Sequence, residues 1–190
     1  MKNFFIVILF IICILPLFSD QLATTQDGRT VLLKDDGTWE YVDTEHQQTG
    51  SKWQVSEEIN PVDDSKTITF ILVANEGKGT YGDPIGLILR YMSRETQVYI
   101  AWSSYLGSEA YVLTRFGDQK ASRSQWPLST NNKATFYPYA DEDFIQELMK
   151  VDRFVAQTTP YSESPITAIF DVRGLQEAVE PYNDILKWIE

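Results

Sequence analysis

The sequence predicts a mainly β protein of the α+β class: an antiparallel sandwich or barrel with two helices and a small amino-terminal β-meander. Three observations lead there. Strand-like segments with apolar residues on both faces recur from Trp53 onward. Turn dipeptides and a glycine-rich stretch separate them. Helical spacing of apolar residues appears after Asp141 and after Arg173. With 190 residues, 43% hydrophobic and 13% aromatic, the chain can bury one sizeable core.

The chain opens with Met1-Lys2-Asn3 and an unbroken apolar run from Phe4 to Phe18. The run is shorter than the roughly 20 residues a membrane-spanning helix needs, and it stands where a secretory signal stands. Residues 1–19 are therefore expected to be a signal peptide, which places the protein in the periplasm or outside the cell. The expected cut follows Ser19, a small residue ahead of the polar Asp20-Gln21. Leu17, third from that cut, is a poor match to the small residue usual there, so an uncleaved anchor is the alternative. Cys13 is the only cysteine and lies within the apolar run. Ile11-Ile12 precede it instead of the small residue that precedes a lipidated cysteine. The processed chain thus has neither a disulfide nor a thiol nucleophile, and packing must hold it together.

The net charge of −11 becomes about −12 once Lys2 leaves with the signal. Nucleic acid and anionic lipid surfaces are poor partners for such a chain, and no membrane span is expected after signal removal. Residues 20–42 form the meander: Val31, Leu32 and Leu33 make one strand, and Trp39, Glu40 and Tyr41 the next. Asp27-Gly28 and Asp36-Gly37 reverse the chain around them, because Asp-Gly suits turns with positive φ. Two strands of this length cannot fold alone and must dock on something. The polar linker 43–51 follows and carries His46, the only histidine.

Residues 52–190 form the main β-rich domain, with about eight strands expected. Lys66 to Ala74, Gly86 to Met92 and Thr96 to Trp102 are apolar on both faces, as in sheets covered on both sides. Tyr111 to Phe136 reads as two strands joined by a polar crossover, with a turn at Phe116-Gly117-Asp118 and an isolated Trp126 between them. Asp141-Glu142-Asp143 opens a helix, Asp being suited to cap free amides. Arg153 to Thr158 and Pro165 to Val172 are further strands. Leu175, Ala178, Val179, Tyr182, Leu186 and Ile189 share a last helical stripe that Pro181 should kink or divide.

Catalytic signals are weak. His46 lies in a linker with nothing to orient it. Gly77-Lys78-Gly79-Thr80 lacks the spacing of a phosphate loop. Asp35-Asp36, Asp63-Asp64 and Asp141 to Asp143 do not fit the alternating ligands of a calcium loop, and turn or cap roles account for them. No cofactor, metal or catalytic residue is assigned. A hydrolase built on two carboxylates is compatible with the sequence, but nothing selects a pair. Tyr81, Trp102, Tyr105, Tyr137, Tyr139 and Tyr161 include rings at strand ends or loops, where they could stack on a sugar or anchor a protein. Arg115 and Asp118 flank a turn and can pair across it, and Trp126 has the size to fill the space between two sheets; all three are read as serving the fold.

The stretch DGRTVLLKDDGTWEYV resembles a short element that recurs at the start of exported bacterial proteins. Residues 51–190 resemble the VasI/TagO family of type VI secretion-associated proteins. That resemblance is carried by SKWQVSEEINPVDDSKTITFILVA, LILRY, VLTRFGDQKASRSQW with PLSTNNKATF, DEDFIQELMKVDRFVAQ and AIFDVRGLQEAV, in that order. Members often carry a cysteine just after Leu-x-Leu-Arg, where this chain has Tyr91. The resemblance implies an exported, strand-rich, non-catalytic accessory or binding module of the cell envelope, whose partner is a protein or an envelope component. A small secreted hydrolase or a carbohydrate-binding protein is the alternative.

Overall fold

Alternation of apolar side chains gives the strands two distinct faces, and the architecture follows from what covers each. The computed structural model describes residues 21–25, 30–34, 37–41 and 51–189. The apolar leader with Cys13, the Asp27-Gly28 turn, Asp35-Asp36 and the linker with His46 lie outside the described residues. The strands, in chain order, are β1 (Gln21–Thr24), β2 (Thr30–Leu33), β3 (Trp39–Tyr41), β4 (Gln54–Ile59), β5 (Lys66–Val73) and β6 (Gly86–Met92). They continue with β7 (Glu95–Ala101), β8 (Ala110–Phe116), β9 (Ser122–Trp126), β10 (Ala134–Phe136), β11 (Arg153–Thr158) and β12 (Ile166–Asp171). The helices are α1 (Asp141–Met149), α2 (Leu175–Val179) and α3 (Asn183–Leu186).

Three antiparallel sheets result: β1-β2-β3, then β10-β7-β6-β5-β4, then β12-β11-β8-β9. The fold is a sandwich and the sheets do not close, which settles the sandwich-or-barrel alternative. On β5, Ile68, Phe70 and Leu72 face inward with Leu87, Leu89, Val98 and Ile100 of its neighbours. Opposite them stand Val112, Phe154, Ala156, Ala168 and Phe170 of the four-stranded sheet, with Phe144, Ile145 and Leu148 of α1. Leu175, Val179, Leu186 and Trp188 complete this core, and the Trp188 indole donates to Thr96 Oγ1 at 3.0 Å. Pro181 does divide the last helical stretch: α2 gives way to a 3-10 turn over Glu180–Tyr182 before α3 begins.

The outer face of the five-stranded sheet is also apolar, because Ile71, Ile88 and Tyr99 pair in register across β5, β6 and β7. The amino-terminal sheet covers it. Leu22 and Leu32 pack against Ile71, Ile88, Tyr99, Ala101 and Ala134, and a side chain in place of Gly86 would overlap Leu22. Lys34 bonds Glu40 at 3.0 Å and reaches across to Glu58 on β4. Cover on both faces thus explains the doubly apolar strands.

Three strands escape the alternation rule. The β1 strand precedes the two meander strands expected, β4 carries Ser56, Glu57 and Glu58, and β9 reads Ser-Arg-Ser-Gln-Trp. All three are edge strands, β1 only four residues long and β4 and β9 with much of their length exposed, so burial imposes no clean pattern. Tyr111 to Phe136 is consequently three strands in two sheets, not two strands with a crossover, and Trp126 ends β9. Among the described residues the main domain has nine strands, in line with the eight or so expected. The two main sheets are joined along one side, where the Asn75 amide donates to the Ile169 carbonyl (2.8 Å) and the Ile169 amide to the Glu76 carbonyl (2.9 Å). Asn75 Oδ1 accepts the Asp171 amide at 2.7 Å, and Gly77 lies so close to the Thr167 carbonyl that no side chain fits.

Asp141 acts differently from a helix cap. The position before the helix is Ala140, with no side-chain cap bond, and the Asp141 carboxylate accepts the Val98 amide of β7 at 2.8 Å. Tyr137 has just bonded the Val98 carbonyl at 2.8 Å, so the carboxylate stands in for the next residue of a strand that has ended. Burial pushes this carboxyl up to about 6.

Candidate functional site

Antiparallel pairing brings segments 74–85, 102–109, 127–133 and 159–165 to one end of the sandwich, and local bonds tie them together. The Thr80 amide donates to Ser104 Oγ at 2.7 Å. A carboxylate can only accept, so Glu163 takes the Thr80 hydroxyl proton at 3.0 Å. Ser104 Oγ also meets Thr80 Oγ1 at 2.9 Å and the Trp102 carbonyl at 3.2 Å. The Tyr161 amide donates to the Tyr105 carbonyl (2.9 Å), and the Leu106 amide to the Asn132 carbonyl (2.8 Å). Thr80, Ser104 and Glu163 therefore clamp three loops, and each of these loops carries an exposed tyrosine within two residues of the clamp: Tyr81, Tyr105 and Tyr161.

Those rings are 97%, 52% and 67% exposed. Tyr105 and Tyr161 meet edge to face with centroids 6.0 Å apart, and Tyr161 lies over Gly107. Tyr81 is held at φ 68° inside a turn closed by the Gly82 amide on the Gly79 carbonyl at 3.0 Å. Turns that need positive φ there usually take glycine or asparagine. Ser103, Asn132 and Ser162 of the same loops also have positive φ, so left-handed backbone is concentrated at this end. Nearby, a cavity of about 190 Å³ opens between the meander and the sheet, rimmed by Asp83, Ser103 and Lys133.

Chemically this end can stack rings and exchange hydrogen bonds. Ser104 is buried, and its oxygen is occupied in fixing the Thr80 amide, which is a structural use of a hydroxyl. Asp141, whose raised pKa would suit an acid, faces the backbone of β7. Among the described residues no group of three or more His, Cys, Asp or Glu could hold a metal ion, and no helix is long and apolar enough to cross a membrane.

The structure does not gather Arg115, Asp118 and Trp126 into one site. Trp126 is 1% exposed, with its ring 5.3 Å from Tyr137 and 6.2 Å from Phe144, and its indole donates to Ser124 Oγ at 3.0 Å. Arg115 and Asp118 approach to 3.9 Å on an exposed turn at the end of β8 away from Tyr105, beyond hydrogen-bond reach. Of the six candidate aromatics, Trp102 is fully buried and bonds Thr135 Oγ1 at 2.9 Å. Tyr137 is half-buried, its phenol raised chiefly by that burial, whereas Tyr139 is exposed away from the clamp. The clamp itself escaped sequence reading, because Thr80, Ser104 and Glu163 are joined by topology alone. The available signal was Tyr81, a large ring inside the glycine-rich loop.

Residues 3–83 match the model of a family described as protein of unknown function (DUF3157). The match runs from the leader through the meander to the loop that carries Tyr81. No curated protein and no solved structure matches the chain significantly.

Proposed function

We propose that the protein is an exported, non-catalytic binding module of the bacterial cell envelope, an accessory of a type VI secretion apparatus, with the Tyr81, Tyr105 and Tyr161 end as its binding face. The observation that carries the binding face is Tyr81. A bulky residue in left-handed backbone costs on the order of 1 to 3 kcal/mol, and a ring 97% exposed returns almost no packing. Residues kept against the interest of the fold concentrate at functional surfaces. Export is supported by the apolar run from Phe4 to Phe18 and by the short element that follows it. The accessory role is supported by the resemblance of residues 51–190 to the VasI/TagO family.

The test has two parts. Intact mass of the protein recovered outside the cytoplasm should correspond to cleavage after Ser19; retention of the leader in a cytosolic protein would remove the export reading. Envelope fragments should carry the protein down on sedimentation, and Tyr81→Gly with Tyr105→Ala and Tyr161→Ala should abolish this while the fold persists. Undiminished sedimentation of that variant would place the binding face elsewhere.

A further inference from the structure

We infer that the ligand of this end is a glycan chain of uncharged sugar units, with Tyr81 as its main stacking platform. This rests on the binding-module reading and names its ligand class. Along segments 74–85, 102–109, 127–133 and 159–165 the exposed large hydrophobics are Tyr81, Tyr105 and Tyr161, and none is aliphatic. Among the described residues the exposed Ile59, Val62 and Met92 lie elsewhere, and Leu33 belongs to the meander side of the neighbouring cavity. A protein partner is usually gripped by a contiguous apolar centre. Flat rings set among hydroxyls and a carboxylate suit a sugar, whose C–H face lies on a ring while its hydroxyls reach polar groups at the edge.

Glu163 supplies that polar edge. An ionised carboxylate offers about four lone-pair sites, and Thr80 has one proton to give it, which leaves room to accept from neighbouring hydroxyls of a sugar. Charge narrows the class further. A chain of net charge −11 with the Glu163 carboxylate exposed on this end repels acidic polysaccharides. Three rings on three loops that are tied to one another also suit a polymer, which can meet one ring after another along its length.

Titration calorimetry of the purified full chain with cellotetraose and with chitotetraose tests the inference, the first standing for plain glucans and the second for the amino-sugar backbone of the cell wall. Binding of one of them is expected, with Tyr81→Gly weakening it roughly tenfold through loss of the stacked ring. Glu163→Gln should weaken it too, and Asp118→Ala, on the exposed turn at the far end of β8, should not. Because the Tyr81→Gly change relieves strain, the variant remains folded. No heat with either sugar at millimolar concentration, or undiminished binding by Tyr81→Gly, overturns the inference. If envelope sedimentation depends on the three tyrosines yet neither oligosaccharide competes with it, the binding face stands and the glycan falls. If the protein neither sediments with envelope nor gives heat with either sugar, both fall.

Discussion

The protein uses aromatic rings in two opposite ways, around Phe144 in the core and at the Tyr81 end. Phe144 has Tyr137 at 4.7 Å, Phe116 at 4.9 Å and Phe154 at 5.2 Å, so each ring is held by others. At the loop end only Tyr105 and Tyr161 meet, at 6.0 Å, and Tyr81 projects from a strained turn. The core rings are carried by β8, β11, α1 and the segment between β10 and α1, where regular backbone sets their direction. The exposed rings are carried by loops fixed through Thr80, Ser104 and Glu163. In one region the rings stabilise the fold; in the other the fold is spent on presenting the rings.

The sharpest test of that contrast is Trp126→Ala. The ring is buried against Tyr137 and Phe144, so its loss should cost about 3 to 5 kcal/mol in chemical denaturation. A near-neutral result would move Trp126 into the same class as Tyr81. Leu32→Ala is expected to cost about 2 to 3 kcal/mol, because Leu32 anchors the amino-terminal sheet on Ile88 and Tyr99. Hydrogen exchange should show this loss confined to β1, β2 and β3. Equal loss of protection in β5 and β6 would mean that meander and sandwich unfold as one unit.

Asp141→Asn probes the border of the core cluster. The folded carboxyl titrates at about 6 against an ordinary 3.8, so the folded state binds the proton more tightly. Its contribution is therefore complete below about pH 4 and is lost as pH rises through 6. Asparagine keeps an acceptor for the Val98 amide, so the variant should match the wild type at pH 4 and exceed it at pH 7. Water reaches part of this group, which holds the difference to about 1 kcal/mol. Denaturation midpoints that keep the same pH slope in the variant would assign the titration elsewhere.

Tyr81→Gly should change stability by no more than about 1 kcal/mol, and upward, since relief of strain outweighs the added chain entropy of glycine. A clear loss of stability would show that the ring has a packing partner and would erase the contrast. Smallest of all, Asp118→Ala should shift the midpoint by less than about 0.5 kcal/mol, because the approach to Arg115 is long and fully exposed.

Strands with two apolar faces, such as β5, β6 and β7, were legible because burial on both sides leaves a continuous signal. The edge strands β4 and β9 were not, since exposed side chains carry no periodic constraint. Asp141 was legible as the start of a helix but not as the acceptor for β7, a contact made 43 residues away. The loop end was half legible. Tyr81, Tyr105 and Tyr161 could be picked out as aromatics outside regular strands, but their union depends on Thr80 meeting Ser104 and Glu163 across the sandwich.

The seam of Asn75 and Glu76 on Ile169 has a consequence for behaviour in a crowded compartment. A bare sheet edge invites strands from other molecules, and this seam occupies the open side of β12. At two further edges, β4 shows Glu57 and Glu58, and β9 shows Arg123, whose guanidinium lies 4.4 Å over the Tyr111 ring. Charged side chains along β4, paired with Lys66 and Lys34, and a bulky cation on β9 discourage a second chain from adding itself there. The four-stranded sheet, guarded at both its edges, can crowd at high local concentration without growing into its neighbours.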